Sequence, residues 1–226
     1  MSDYDPDETV AREDLCRFLS ACYYEPAAEF VEEKLFDNML IAARRLDPYL
    51  AEHARRLGDA FAAQDIETLL VDYTRLFLGP VQALASPYGE SWLSSTASTQ
   101  DNPPLAVLEL YRQGGFEIDE EFRERPDHVA VELEFLYLLT FNQNHAATAG
   151  KSEEAVALQW LKQRFLAEHL GAWIAPFAAA MARMPGQSGH RVLVPTSARQ
   201  TSILGKLPCL KPSISTRSQS IMRSSR

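Results

Sequence analysis

A short run of acids and one histidine stands at the start of the most apolar part of the chain. Residues 121–139 read EFRERPDHVAVELEFLYLL, in which Asp127 and His128 precede a series of large apolar residues. Glu132 and Glu134 follow within the next two turns of the expected helix. Carboxylates and imidazoles can bind cations, ligate metals or transfer protons. This segment is therefore the main candidate for chemistry in the chain.

The spacing of these residues also has a purely structural interpretation. His128 and Glu132 are four residues apart, share a helix face and can pair, which is worth about 0.2–0.5 kcal/mol when exposed. Pro126 suits the first helical turn, and Asp127 beside it would interact favourably with the helix dipole. Acid–base catalysis by Asp127 and His128 lacks a second catalytic group, so capping and pairing are sufficient to explain the motif.

Other catalytic and metal-binding arrangements find little support in the sequence. A metal site needs a third and usually a fourth ligand beside His128 and Glu132, and the histidines His53, His145 and His169 each occur singly. The chain has no GxSxG nucleophile motif, no phosphate-binding P-loop and no GxGxxG fingerprint. We therefore predict no metal, no cofactor and no enzymatic activity.

A second cluster lies in the segment SPYGESWL, residues 86–93. Tyr88, Trp92 and Leu93 are large apolar groups in a polar region, and Glu90 stands among them. Exposed aromatic residues beside acids are typical of a peptide-binding surface. The alternative is that Trp92 folds back onto the helices, and the sequence leaves both interpretations open.

The apolar residues recur with helical periodicity along most of the chain. Seven segments show this pattern: 7–24, 27–46, 48–63, 65–78, 103–113, 126–145, and 152–184 as one or two helices broken near Pro176. No alternating strand pattern competes before residue 185. We predict an all-α, single-domain helical bundle over residues 1–184, with two helical halves joined by a long loop at about 79–102.

The charge is distributed unevenly along the chain. Of the 22 basic residues seven follow residue 184, so the first 184 residues carry 15 basic and 31 acidic residues, a formal −16. A body this acidic disfavours nucleic acid and favours cationic partners. Residues 185–226 are basic, rich in Ser and without acids, which predicts disorder. A nucleic-acid-binding arm and a non-natural ending after a reading-frame shift are the alternatives for this tail.

The cysteines and the apolar runs bear on the compartment. Cys16, Cys22 and Cys209 form no CxxC pair and no disulfide framework, which indicates free thiols in a reducing compartment. The acidic N-terminus does not resemble a secretory signal. The longest apolar run, GAWIAPFAAAMA, is too short to span a bilayer. We therefore predict a cytoplasmic protein without a membrane span.

Three stretches together resemble a known family. YTRLFLGP (73–80), SPYGESWL (86–93) and RPDHVAVELEFLYLL (125–139) are similar to motifs of the cytoplasmic chaperones that mature molybdoenzymes, the TorD/DmsD/NarJ family. The resemblance covers roughly residues 8–181. It implies a chaperone that binds the apo-form of an oxidoreductase catalytic subunit or its twin-arginine leader. Such a chaperone assists insertion of the molybdopterin-guanine-dinucleotide cofactor and delays export.

The resemblance also implies roles for individual residues. Client or leader binding is implied for Tyr88, Glu90, Trp92, Asp127, His128 and Glu132. Gly79 and Pro80 match the hinge through which some members exchange halves, so the protein is expected to be a monomer or a domain-swapped dimer. SPYGES departs from the family pattern because Gly89 separates the tyrosine from the glutamate. Carboxylates suit a twin-arginine leader, since guanidinium groups prefer bidentate carboxylate partners.

Two alternatives to this function remain. The first is a nucleotide-binding or hydrolysing enzyme that uses Asp127 and His128, because weak guanine-nucleotide binding has been associated with the family. The second is a helical interaction protein with a basic, nucleic-acid-binding arm at residues 185–226. The absence of a phosphate-binding motif argues against the first, and the acidity of the body argues against the second.

Overall fold

The computed structural model describes residues 6–79, 83–93, 102–118 and 124–183 of the chain. Within these ranges the regular structure is helical, which confirms the all-α prediction. Pro80, Cys209 and the tail at 185–226 lie outside the described residues. The helices are α1 (Pro6–Ala21), α2 (Glu29–Glu32), α3 (Leu35–Leu46), α4 (Pro48–Ala62), α5 (Ile66–Tyr73), α6 (Pro103–Gln113), α7 (Val129–Thr148), α8 (Ser152–Glu168) and α9 (Leu170–Ala182).

Helix α7 lies at the centre of the fold. It is apolar on nearly every face over residues 129–140, and these residues are buried, as expected for a helix that is surrounded by others. Helices α1 and α8 pack against it, while α3 packs against α1 and α4. The largest fully buried side chains include Trp173, Phe165 and Phe177, which come from α8 and α9. The core therefore forms around the helix that begins at the Asp127–His128 motif.

Capping residues are found at two of the predicted helix starts. The Asp65 carboxylate accepts a hydrogen bond from the backbone N–H of Thr68 at 2.8 Å and caps α5. Helix α6 begins at Pro103 after Asn102, as predicted. Beyond α5 a π-helical turn, Thr74–Leu78, ends at Gly79, whose φ of 56° lies in the region that glycine adopts without strain.

The prediction of one helix over residues 27–46 is wrong. The chain forms the short helix α2 and then α3, with Lys34 between them at a φ of 54°. A left-handed residue cannot continue a right-handed helix, and it costs an L-residue roughly 1–2 kcal/mol. The reorientation lets α3 bury Leu35 and Met39. Tertiary packing therefore overrides a continuous helical pattern here.

The break in the C-terminal helical segment lies at His169, and Pro176 is inside α9. The prediction of a break near Pro176 is therefore wrong. Proline removes the hydrogen bond to the carbonyl four residues earlier, but Pro176 and Ala172 both lie on the exposed side of α9, where water can satisfy that carbonyl. Among the described helices no single one is long and apolar enough to cross a membrane, and α8 and α9 reach that composition only as a pair bent by 45°.

Candidate functional site

Backbone hydrogen bonds join the loop segment, residues 83–93, to the start of α7. The N–H of Gly89 donates to the carbonyl of Asp127 at 2.8 Å, and the N–H of Val129 donates to the carbonyl of Pro87 at 2.8 Å. Tyr88 thereby forms an isolated antiparallel bridge with His128. The two motifs that the sequence analysis selected separately thus form one site, although about 40 residues separate them.

Helix α7 begins at Val129, and His128 is its N-cap residue. The His128 Nδ1 accepts a hydrogen bond from the backbone N–H of Ala130 at 3.2 Å, which is the role of a cap. The expectation that Pro126 and Asp127 belong to the first helical turn is therefore wrong. Both residues precede the cap, because the Asp127 carbonyl is bound to the loop segment instead of starting the helix.

Arg125 connects the two motifs through its side chain. Asp127 has no exposed surface, and its carboxylate accepts from the backbone N–H of Glu90 at 3.0 Å. The Arg125 guanidinium donates to both oxygens of the same carboxylate, at 3.1 and 3.3 Å. It also donates to the Glu90 carboxylate and lies over the Tyr88 ring, 5.0 Å from its centroid. Arg125 was not among the residues predicted from sequence, although an arginine two residues before the predicted site acid Asp127 was a usable signal.

His128 lies between two tyrosine rings. The Tyr24 ring stacks on it at a centroid distance of 6.2 Å, and the Tyr88 ring meets it edge-on at 5.3 Å. The hydroxyls of these tyrosines donate to carboxylates, from Tyr24 to Glu134 and from Tyr88 to Glu124, both at 3.1 Å. Burial lowers the pKa of His128, although Glu124 and Asp127 act in the opposite direction. A neutral imidazole is consistent with its Nδ1 acting as an acceptor.

Glu132 does not pair with His128, contrary to the expectation from their spacing. Its carboxylate accepts from the Trp173 indole N–H at 3.1 Å and pairs with the Nδ1 of His169 at 2.9 Å. The Nε2 of His169 lies 3.1 Å from the carbonyl of Pro103 at the start of α6. Glu132 and His169 are both buried. This buried network ties α7, α9 and α6 together directly beneath the loop segment.

Comparison with known proteins identifies the family. The family model described as "Nitrate reductase delta subunit" matches residues 43–179, more than half of the chain and all of the site described above except Tyr24. The chain belongs to this family.

Several proteins similar to this family member are named "Chaperone protein TorD". One from Vibrio parahaemolyticus is 31% identical over 129 residues, which cover 57% of this chain and 58% of the relative. One from Shewanella loihica is 28% identical over 189 residues, covering 79% and 78%. A third from Photobacterium profundum is 31% identical over 110 residues, covering 49% and 50%.

The chain thus spans about half to three-fifths of the length of the Vibrio parahaemolyticus and Photobacterium profundum relatives. Together with the family match, these relatives confirm the resemblance that the sequence motifs indicated.

In this family member the six site residues predicted from sequence differ in accessibility. The Glu90 side chain is 56% exposed, and Tyr88 is partly exposed. Asp127, His128 and Glu132 are buried. A ligand that approaches the site therefore meets Glu90, Tyr88 and the Arg125 guanidinium first.

Trp92 folds back onto the helices. Its indole N–H donates to the carbonyl of Ser86 at 2.8 Å, and its ring meets Phe177 of α9 edge-on at 6.1 Å. Trp92 and Leu93 are both partly buried and pack against the core. Of the two interpretations that the sequence left open for Trp92, packing onto the helices is therefore correct, although the residue remains partly exposed.

The described ranges of the chain contain no group of three or more His, Cys, Asp or Glu side chains that could hold a metal ion. The buried carboxylates of Asp127 and Glu132 in this family member have partners within the protein. Asp127 is bound by Arg125 and a backbone N–H, and Glu132 by Trp173 and His169. The chemistry that this arrangement offers is recognition of a guanidinium group, since paired carboxylates and an aromatic face are the partners such a group prefers.

The buried histidines His128 and His169 are expected to titrate on opposite sides of their ordinary pKa of about 6.5. Burial acts to lower the pKa of His169, but the Glu132 carboxylate and the Pro103 carbonyl outweigh it, so the pKa is raised. Burial also raises the pKa of Glu132, which the neighbouring His169 and Trp173 partly offset. An NMR titration of the histidine side chains should therefore place His169 above about 6.5 and His128 below it.

The raised pKa of His169 makes part of the stability of the fold depend on pH. Folded His169 keeps its proton to a higher pH than the unfolded chain does. The stability that it contributes is therefore full below about pH 6.5 and is lost as the pH rises through its folded pKa. Glu132→Gln should lower the pKa of His169 and leave that of His128 nearly unchanged. A wild-type His169 that titrates below 6.5 would contradict the proposed ion pair.

Proposed function

We propose that the protein is a chaperone for the maturation of a molybdenum-cofactor oxidoreductase. It binds the apo-form of the catalytic subunit, its twin-arginine leader, or both, so that the molybdopterin-guanine-dinucleotide cofactor is inserted before export. Membership of the nitrate reductase delta subunit family and the relatives named as chaperones support this proposal. The observation that carries it is the site itself, in which Glu90, Asp127 and Tyr88 hold a guanidinium group.

The chemistry of the site matches that of a twin-arginine leader. Such a leader presents two guanidinium groups followed by an apolar segment. Carboxylates such as those of Glu90 and Asp127 can accept planar, bidentate hydrogen bonds from a guanidinium, and the Tyr88 ring offers a face for a cation. The apolar segment can pack on the exposed parts of Trp92 and Leu93. His128 and Glu132 are buried, and under this proposal they act by positioning the loop segment and the start of α7.

The overall charge supports the same kind of client. The first 184 residues carry a formal −16, as counted above. An acidic surface raises the association rate of a basic peptide, and this effect weakens as salt is added. The proposal places the protein in the cytoplasm, where the apo-enzyme is made. The functional oligomeric state under this proposal is either a monomer or a dimer that exchanges halves at Gly79 and Pro80.

Calorimetric titration with twin-arginine leader peptides tests the proposal directly. We expect saturable binding that weakens about tenfold, or 1.4 kcal/mol, when both arginines are changed to lysine. A lysine ammonium cannot reproduce the bidentate contacts of a guanidinium. Glu90→Gln should weaken binding of the arginine peptide as well, since it removes the exposed carboxylate of the site.

Glu153→Gln is the matched control for this titration. Glu153 is exposed in the first turn of α8, which follows the C-terminal end of α7. The 20 residues of α7 separate the two ends by about 30 Å, so this variant should bind like the wild type. Equal affinity for the arginine and lysine peptides, or no binding of any leader or apo-enzyme, would refute the proposal.

A further inference from the structure

A guanidinium group already occupies the site through which we propose that the client is bound. It belongs to Arg125, which lies two residues before Asp127 in the chain. We propose that Arg125 is an internal occupant of this site and that an arginine of the client displaces it. This inference rests on the proposed function and adds an exchange step to it: the chain holds its own arginine until a leader supplies another.

The site has the features that a guanidinium recognises. The Nε and one terminal nitrogen of Arg125 donate to the two oxygens of Asp127, at 3.1 and 3.3 Å. The same terminal nitrogen donates to the Glu90 carboxylate, and the group lies over the Tyr88 ring. The Tyr88 hydroxyl is in turn bound to Glu124, which fixes the ring. Two carboxylates and an aromatic face thus converge on a single planar cation.

The site is also built from a buried group. Asp127 has no exposed surface, and a buried carboxylate without a charged partner is costly. The Glu90 backbone N–H satisfies only part of its hydrogen-bonding capacity. Occupation of the site by a guanidinium, either that of Arg125 or that of a ligand, is therefore favoured over an empty site. This preference favours an exchange of one arginine for another over simple binding to an empty pocket.

Arg125 can leave without disrupting the surrounding structure. Its side chain is 45% exposed and the Glu90 side chain is 56% exposed, so their contact faces water. The loop segment is held to the start of α7 by two backbone hydrogen bonds, between Gly89 and Asp127 and between Val129 and Pro87. Neither bond involves the Arg125 side chain, so the framework of the site remains when that side chain swings out.

Because Arg125 competes for the site, we expect the site to bind a leader peptide more weakly and also more selectively. Only the fraction of molecules with Arg125 displaced can bind a leader, and the apparent affinity is reduced by that fraction. A lysine ligand makes point contacts and cannot replace the fork that Arg125 forms with Asp127. Competition with Arg125 should therefore reject lysine more strongly than an empty acidic surface would.

The test compares the full-length wild type with Arg125→Gln and Arg125→Lys. The ligands are a twin-arginine leader, its lysine counterpart, and N-acetyl-arginine amide as a minimal guanidinium probe. We expect Arg125→Gln to bind the leader about tenfold more tightly than the wild type does, or about 1.4 kcal/mol. Arg125→Lys should show a smaller gain, because it keeps the charge but not the fork. Adding Glu90→Gln to Arg125→Gln should remove most of the gain.

The outcomes separate this inference from the proposed function. Equal leader binding by the wild type and both folded Arg125 variants would make Arg125 a structural residue. Weaker binding by the variants would make it a direct contact of the leader. Either result refutes the inference, while the proposed function stands. If no leader binds either form, the leader recognition on which this inference rests fails, and the arginine amide decides the inference. Binding of the amide to Arg125→Gln but not to the wild type supports the inference that Arg125 occupies the site. Binding to neither form refutes it. Arg125→Lys provides the same comparison if Arg125→Gln fails to fold.

Discussion

Replacing Glu132 with alanine should lower the free energy of unfolding by about 3–5 kcal/mol. Glu132 has no exposed surface. Its carboxylate accepts a hydrogen bond from the Trp173 indole N–H at 3.1 Å and pairs with the Nδ1 of His169 at 2.9 Å. Removing it leaves a buried indole N–H without its acceptor and a buried imidazole without its counter-charge. Breaking one side of a buried pair is far more costly than losing an exposed one. Urea unfolding followed by circular dichroism measures the difference.

Two further variants test the cause of this loss. Glu168→Ala removes the same charge one residue before His169, but Glu168 is 59% exposed and pairs with Arg164 on its own helix, so we expect a change below about 0.5 kcal/mol. Glu132→Leu combined with His169→Leu removes both partners and should recover much of the stability that Glu132→Ala loses. If Glu132→Ala unfolds at the same urea concentration as Glu168→Ala, the buried network does not stabilise the fold.

Replacing Gly171 with alanine should be destabilising by about 3 kcal/mol, the upper end of the usual cost of overpacking. A Cβ atom at this position would lie 2.2 Å from the carbonyl oxygen of Leu166, which is a backbone atom and cannot rotate away. Helix α9 would have to move relative to α8. His169 lies in this junction, so its contact with Glu132 should weaken as well. Thermal and urea unfolding would show the loss, and the pKa of His169 would fall towards its ordinary value.

The control for Gly171→Ala is Ala175→Ser, one helical turn further along α9. Ala175 is exposed, and a surface substitution of this kind usually changes stability by less than about 0.5 kcal/mol. Equal stability of Gly171→Ala and the wild type would show that α8 and α9 meet less closely than the distance to Leu166 indicates. A loss of stability without any change in the pKa of His169 would separate helix packing from the buried ion pair.

The sequence by itself determined the helical class and several helix boundaries. Helical periodicity and the caps at Asp65 and Asn102 depend on residues within one or two turns of each other, so a linear chain displays them directly. The same holds for Gly79, where a residue without a Cβ atom marks the end of a helix. The family motifs are also local, and two of them, SPYGESWL and RPDHVAVELEFLYLL, are the segments that meet in the site.

Only the tertiary structure decided which groups pair within those segments. Glu132 and His128 are four residues apart, yet Glu132 pairs with His169 and Trp173, about 40 residues away in the chain. Asp127 lies outside the helix because Gly89, also about 40 residues away, binds its carbonyl. Lys34 and His169 interrupt continuous helical patterns because packing of the neighbouring helices outweighs local propensity. Periodicity reports only neighbours within a helix, whereas burial and hydrogen bonding of a charged group depend on whichever distant residues the fold brings to it.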